Sequence, residues 1–455
     1  MNLFFAMTTS LSNFSLLVRK HPLVTMGVLG LGIVSVLAMR WISPMIILFG
    51  WIGGVIGGIA IIHPWIGLLL MTFALPFEYL GSVEVLGMTV RASQMLLGFT
   101  ATGTLLIFLG KRQKFRLEHP TFFWLPILLL AGMASLAQSE NLARGFLVWG
   151  FIAFTSLLLW IVPQIIRSTE RVDLLIRILF WSAMIVSLFG LVQFLGDLVG
   201  LPGSLTGLRP QYTKAILGFP RVQSTMFEPL YFANYLLIPL SLAATIFLSQ
   251  SRPSHRHRIL LLFVLGGLSL ILTVSRGGYL AFAVSMIVIS LWYARQFFSP
   301  KIWLTGTILA SVIIAAAAIF LFSSQATQEF LFHASNLFGG ASYLERVDTF
   351  AAAWRTIVQH PIFGIGMGNF GPWFAPHPLL SPETGWAIVN NEYIEVWAEM
   401  GIVGLASFMG FIAALIIPSI QAIHRATPYR YEGAIMIGLF AAFMGTLVQY
   451  LTFAG

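Results

Sequence analysis

The chain contains no cysteine and very little charge. Only 9% of its 455 residues are charged and 58% are hydrophobic, whereas about a quarter of a soluble globular domain is charged. The absence of cysteine excludes a disulfide framework, a thiol nucleophile and a cysteine metal site. The shortage of charge excludes an ordinary soluble domain. The sequence therefore predicts a protein whose main surroundings are lipid.

The apolar runs have the length of membrane-spanning helices. A hydrocarbon core of about 30 Å requires about 20 apolar residues in a helix, and a β-barrel would show short alternating strands instead. We predict an all-α integral membrane protein with about 12–13 transmembrane helices, in which residues 1–455 form one polytopic domain. The predicted spans lie near residues 22–39, 42–62, 64–77, 92–110, 121–137, 145–166, 178–199, 229–249, 259–274, 277–294, 302–323, 391–417 and 432–453.

The third of these runs is short, so twelve spans is the alternative. The first follows Arg19 and Lys20 without a convincing cleavage site, and we expect it to be an uncleaved signal anchor.

The basic residues predict the orientation of the chain. Sixteen of the 25 Lys and Arg residues fall in short loops that alternation of the spans brings to one side, which the positive-inside rule assigns to the cytoplasm. The net charge of +9 thus indicates orientation and not nucleic-acid binding. We expect a multi-pass inner-membrane protein with a cytoplasmic N-terminus. The basic residues on the extracytoplasmic side are Arg40, Arg91, Arg144, Arg209, Lys214, Arg221, Arg276, Arg346 and Arg355.

Two extracytoplasmic loops are long enough to be functional, at 200–228 and 324–390. The second contains an amphipathic helix at 343–359, predicted to lie on the membrane surface or to cap the bundle. His360 and Pro361 end this helix. The glycine-rich stretch at 364–374 lacks the strand, helix and third glycine of a nucleotide fingerprint, and we predict a tight, aromatic-lined turn. His333, His360 and His377 share no metal-ligand spacing, so we expect no metal.

Three arginines occupy glycine- or proline-punctuated positions at membrane boundaries, namely Arg221, Arg276 and Arg346. Each has a structural alternative: Arg276 can snorkel, Arg221 can pair with Glu228, and Arg346 can pair with Glu345 or Asp348 on its own helix. All three are predicted on the same side of the membrane, where their guanidinium groups could converge on one diphosphate.

A polar stretch forms the start of the predicted span at 391–417. Asn391, Glu395 and Glu399 follow at intervals of four and therefore share one helical face. Carboxylates at this depth need a polar cavity or a cation. We leave two interpretations open, a wall of the site and a structural carboxylate paired with an arginine of another helix.

Four segments resemble the O-antigen ligase and polymerase superfamily of integral membrane glycosyltransferases. They are RVQSTMFEPLYFANY at 221–235, SRGG at 275–278, RVDTFAAAW with HPIFGIGMGNF at 346–370, and NNEYIEVWAEMGIVGL at 390–405. The resemblance implies a glycan donor held on a polyprenyl diphosphate, a glycan or glycolipid acceptor in the outer leaflet, and a metal- and nucleotide-independent displacement with inversion. It also implies that Arg221, Arg276 and Arg346 hold the diphosphate leaving group.

One position departs from the family pattern. The ligases carry a histidine that ten residues separate from the position of Gly401, and here Asn390 stands there. Because an asparagine amide accepts no proton at neutral pH, it can orient an acceptor hydroxyl but cannot act as general base. This favours a polymerase over transfer to lipid A core, and Glu392, Glu345 and His377 are the candidate replacement bases.

The predicted site has two halves. Its catalytic residues are Arg276, Arg346, Asn390 and Glu392, and its substrate-binding residues are Arg221, Glu228, Glu345, Asn391, Tyr393 and Glu399. The alternative function is a transporter or flippase of an anionic lipid-linked substrate, which would require internal repeats and charges accessible from both sides.

Overall fold

Apolar helices make up most of the part of the chain that the computed structural model describes, which is residues 44–79, 82–85, 88–112, 119–293, 341–375 and 386–452. The predicted spans at 22–39 and 302–323 lie outside these ranges, as do His333, His377 and the side chains of Glu345 and Arg346. The described helices are α1 Pro44–Ile62, α2 Pro64–Ala74, α3 Ala92–Lys111, α4 Thr121–Ser135, α5 Leu142–Ile165, α6 Thr169–Leu198, α7 Gly203–Thr206, α8 Lys214–Leu217, α9 Pro229–Ser249, α10 Arg256–Leu272, α11 Arg276–Trp292, α12 Ala341–Gln359, α13 Phe370–Phe374, α14 Glu392–Arg425 and α15 Tyr431–Gln449.

Within the described ranges, seven helices are long and apolar enough to cross a membrane. The remaining predicted spans in these ranges coincide with shorter helices, of which α2 has only 11 residues. The predicted fold class, an all-α integral membrane protein, is therefore confirmed. The seven are α3, α4 with its 3-10 extension to Gln138, α5, α6, α9, α14 and α15.

A small β-hairpin interrupts the helical pattern between α2 and α3. Strands β1, Ser82–Val85, and β2, Met88–Arg91, pair antiparallel with Val83 opposite Val90. The β-branched residues of this segment favour strands, but a four-residue alternation between two apolar runs is too short to be recognised in the sequence. No strand was predicted from the sequence at these positions.

The central helix of one half of the molecule is α9, which packs on α10, α11 and α15. Ala233, Leu236 and Leu240 on this helix are fully buried. At the N-terminus of α11, a Cβ atom added to Gly278 would lie 2.5 Å from the Cβ atom of Ala233. Gly278, the second glycine of SRGG, therefore permits close packing of α11 on α9. This packing fixes where α11 begins.

Three of the basic loops, at 167–177, 252–258 and 425–430, meet at one end of the bundle. The Asp173 carboxylate accepts hydrogen bonds from Arg252 at 3.0 Å and from the Tyr431 hydroxyl at 2.8 Å. At the same end, the Tyr293 hydroxyl donates to the carbonyl of Pro428 at 2.7 Å. Because Tyr293 follows α11, the first residue of that helix, Arg276, lies at the opposite end.

Helix α14 contains a sharp kink at Gly401, whose φ of 63° and ψ of −167° are not helical. The chain before the kink accepts hydrogen bonds from the loop after α12, through Ile365 N to Ala398 O at 3.1 Å and Gly366 N to Glu399 O at 2.9 Å. After the kink, Ile402 N donates to Pro361 O at 2.9 Å. The loop thus satisfies backbone groups that the kink removes from the helix, as an apolar environment requires.

Replacing Gly401 with alanine is expected to lower the thermal unfolding midpoint of the purified protein. A positive φ costs a non-glycine residue about 1–3 kcal/mol, and the added Cβ would lie 2.2 Å from the Ile362 carbonyl. Gly150→Ala, on α5, is the matched control because no atom lies within 4 Å of its added Cβ. Equal midpoints for the two variants would contradict the role given to Gly401.

Candidate active site

Arg221 and Arg276 lie together at the end of the bundle opposite the basic loops. Arg221 donates from Nε to the carbonyl of Thr273 and from Nη2 to the carbonyl of Val274, both at 3.3 Å. Its guanidinium is thereby anchored beside the residues that lead into Ser275 and Arg276. Burial lowers the pKa of Arg221 from its ordinary value, and the nearby charge of Arg276 lowers it to a smaller extent. Tyr212, Tyr279 and Glu228 act in the opposite direction and raise this pKa.

The pairing of Arg221 with Glu228 left open by the sequence is not what the structure shows. Among the described residues, the ion pairs join Arg91 to Glu78 and join Arg177 and Arg252 to Asp173. Glu228 immediately precedes α9 and lies within electrostatic range of Arg221, Tyr212 and Tyr231. It belongs to the surroundings of Arg221 without forming an ion pair with it.

Arg276 is the first residue of α11, capped by the Ser275 hydroxyl, which accepts from Gly278 N at 3.3 Å. A helix N-terminus already carries positive partial charge and favours anions. A second guanidinium close by increases this potential further. The preceding residue, Val274, has a φ of 49°, which is unusual for a β-branched residue and is the kind of backbone strain that collects at functional sites.

The polar segment at 390–393 lies beside the same end, against the last turn of α15. Glu392 N donates to Tyr450 O at 2.9 Å, Asn391 Nδ2 to Leu451 O at 3.3 Å, and the Tyr393 hydroxyl to Leu447 O at 2.7 Å. On the other side of this turn, a Cβ at Gly277 would lie 2.9 Å from Thr452 Oγ1. The end of α15 therefore joins the SRGG segment to the segment that carries Asn390 and Glu392.

Asn390 is half-buried and has a left-handed backbone with a φ of 57°. Asparagine, aspartate and histidine are the side chains that most often accept this conformation. The family's histidine and the asparagine of this chain are thus compatible with the same backbone. The exchange changes the proton chemistry at this position without requiring a different chain path.

Glu399 is buried and holds the glycine-rich turn. Its two carboxylate oxygens accept hydrogen bonds from Gly368 N at 2.7 Å and Phe370 N at 2.9 Å. Gly364, Gly366 and Gly368 in this turn all have positive φ. The geometry favours the structural interpretation of Glu399. Its carboxylate is stabilised by two backbone amides of the turn and by the charge of Arg144. Glu395 is similar, since its carboxylate accepts from Val389 N at 2.8 Å.

The arginine beside these carboxylates is Arg144, near the start of α5. It donates from Nε to Gly368 O at 2.7 Å, and its Cζ lies 5.1 Å from the ring centroid of Trp386. Its charge also interacts with the carboxylates of Glu399 and Glu395. The sequence predicted Arg144 on the extracytoplasmic side, but no role for it was predicted. The feature of the sequence that could have indicated a role for Arg144 is its position as a lone charge at the start of an apolar run.

Arg346 and Glu345 lie on α12, and their side chains fall outside the described residues. The predicted amphipathic helix at 343–359 is observed as Ala341–Gln359. Ala352, Ala353 and Ile357 of this helix are buried in one hydrophobic cluster with Ala398 of α14. Four other apolar residues of the helix are exposed, namely Val347, Phe350, Trp354 and Val358.

A second arginine group, also not predicted as part of the site, surrounds Phe227. The Cζ atoms of Arg91 and Arg209 lie 5.5 and 5.3 Å from its ring centroid, and Arg91 pairs with Glu78 at 2.7 Å. Burial raises the pKa of Glu78, and Arg91 opposes the shift. Tyr212 lies within electrostatic range of both Arg209 and Arg221, so this group continues the positive region outward from Arg221.

Comparison with known proteins supports the resemblance noted in the sequence. No curated protein matches the chain. The family model described as O-antigen ligase matches residues 261–409. This segment contains SRGG, the helix that carries Arg346, the glycine-rich turn and the 390–405 segment, whereas RVQSTMFEPLYFANY lies before it. This match confirms the resemblance over residues 261–409, and the long apolar helices are those of a multi-pass membrane protein.

Proposed function

We propose that the protein is an inner-membrane glycosyltransferase that polymerises or transfers a polyprenyl-diphosphate-linked glycan at the extracytoplasmic face. The observation that carries this proposal is the convergence of Arg221 and Arg276 at the N-terminus of α11. This positive region suits a diphosphate, because guanidinium groups bind phosphate oxygens through paired N–H donors and a helix N-terminus adds further stabilisation.

In the proposed reaction, an acceptor hydroxyl oxygen attacks the anomeric carbon of the donor sugar and the bond from that carbon to the diphosphate breaks. The diphosphate leaves with the electron pair, and the configuration inverts. Arg221, Arg276 and Arg346 stabilise the charge that develops on the leaving oxygen. The site needs no metal for this role, because the guanidinium groups supply the positive charge.

The acceptor side is formed by the segment at the start of α14. Asn390 orients the acceptor hydroxyl through its amide, Asn391 and Tyr393 hold the segment on the end of α15, and Glu392 receives the hydroxyl proton. Glu392 is half-buried and directly follows Asn390 and Asn391 in the chain, and Glu345 and His377 are the alternative bases. Glu399 and Arg144 act as positioning residues that fix the glycine-rich turn.

Incubation of the purified protein with a polyprenyl-diphosphate oligosaccharide tests the function. We expect a ladder of longer lipid-linked glycans without any second acceptor, because the absence of the family histidine favours a polymerase. Products that form only after a glycolipid acceptor is added would replace polymerase with ligase. Movement of unaltered substrate across vesicle membranes, with no product under either condition, would indicate the transporter instead.

Removing the proposed diphosphate ligands is expected to abolish product formation. Arg276→Ala and Arg346→Ala should each lower the rate at least about 100-fold, as loss of one transition-state donor typically does. The matched control is Arg355→Ala, which makes the same change on the exposed face of the helix that carries Arg346. Rates are compared after confirming equal thermal midpoints. Normal rates for either variant would contradict its role.

Asn390 is expected to contribute through its side chain and not through its backbone alone. Asn390→Gly retains the left-handed conformation at no steric cost but removes the amide, so we expect a higher KM for the acceptor with a normal thermal midpoint. Asn390→Ala should show the same KM increase and, in addition, a lower midpoint. Wild-type kinetics in Asn390→Gly would show that the amide does not bind the acceptor.

A further inference from the structure

A cavity of about 550 Å³ lies at the basic end of the bundle, far from the site at the N-terminus of α11. It is formed where α1 ends and α2 begins, by the last turn of α3 and by the junction of α5 and α6. Among the residues that line it are His63, Trp65, Lys111, Gln164, Arg167 and Arg171. No acidic residue is among the described residues that line this cavity.

The two arginines are held in place by the protein itself. Arg171 donates from Nη1 to the carbonyl of Ile165, and its Cζ lies 5.1 Å from the ring centroid of Trp65. Arg167 donates from Nε to Gln164 O at 2.9 Å, and its Cζ lies 5.9 Å from the Phe108 centroid. A guanidinium carries five N–H donors, and the hydrogen bond to Ile165 uses one of those of Arg171. The guanidinium group of Arg171 is therefore held in place by a backbone carbonyl and by the ring of Trp65.

The opposite walls of the cavity are apolar. Ile62 and Ile66 line it and are 67% and 38% exposed. On α3, the neighbouring Leu106 and Leu109 are 56% and 64% exposed. In a multi-pass membrane protein, exposed apolar side chains of this kind face lipid chains. The cavity thus lies at the boundary between an apolar belt and a group of cations.

We propose that this cavity binds the phosphate headgroup of an anionic phospholipid, with the acyl chains lying against the exposed surface of α1 and α3. Such a ligand is both anionic and apolar, as the two walls require. Arginine and lysine between membrane helices suit lipid phosphate, and the attraction adds to that of the basic loops at this end. A free phosphate would use the cations but would leave the apolar wall without a partner.

The proposal does not depend on the proposed catalytic function. The lipid would occupy a site at the opposite end of the bundle from Arg221 and Arg276. It would contact residues of α2, α3 and α6. Loss of glycan transfer in the arginine variants therefore leaves this proposal unaffected.

Lys111→Gln tests whether the charge of Lys111 contributes to lipid binding. The change is not expected to disturb the fold, because Lys111 is exposed at the end of α3. The matched control is Arg112→Gln, which removes the same charge from the next residue, outside the cavity lining. Lipid retention is measured by native mass spectrometry of the full-length protein after exchange into phosphatidylglycerol or phosphatidylcholine, with inorganic phosphate as a third arm.

We expect wild-type protein and Arg112→Gln to retain phosphatidylglycerol in preference to phosphatidylcholine, and Lys111→Gln to retain it about fivefold less, as expected for one basic residue at a lipid surface. Equal retention of the two lipids by the wild type would overturn the proposal, as would equal losses in the two variants. Displacement of the lipid by millimolar inorganic phosphate would reassign the cavity to free phosphate and overturn the lipid assignment.

Discussion

The backbone hydrogen bonds between the 361–370 loop and the kinked part of α14 are the constraint on which the site depends. A kink at Gly401 leaves amide and carbonyl groups without helical partners in apolar surroundings, where each unsatisfied group is costly. The loop supplies those partners, and the Glu399 carboxylate accepts two amides of its glycine-rich turn. Arg144 and Asn141 then attach the start of α5 to the same turn. This network determines where the 386–393 segment can lie.

The other half of the site depends on how the protein holds two arginines close together. The Arg221 guanidinium binds backbone carbonyls, and Arg276 begins a helix whose dipole already favours an anion. Concentrating cations in this way opposes folding unless other contacts hold them, and the packing of Gly278 on Ala233 supplies such a contact. The arrangement is suited to a ligand that brings negative charge with it.

The sequence predicted the spans well because each needs only a run of apolar residues. Helix α9 spans the predicted 229–249, and the amphipathic helix was predicted within two residues of its observed bounds. The basic loops were predicted to share one end, and Asp173 is found between Arg252 and Tyr431 there. The β-hairpin at Ser82–Arg91 was not predicted, because its strands have too few residues for an alternating pattern to be recognised.

The sequence by itself determined the membrane class, the family resemblance carried by SRGG and 390–405, and the departure at Asn390, because these depend on residue type and local spacing. Only the tertiary structure decided that Arg221 binds the carbonyls of Thr273 and Val274, that Glu399 holds a turn, and that Arg144 lies beside it. These contacts join residues 31 to 224 positions apart. Spacing along the chain carries no information about such distances, because they follow from how the helices pack.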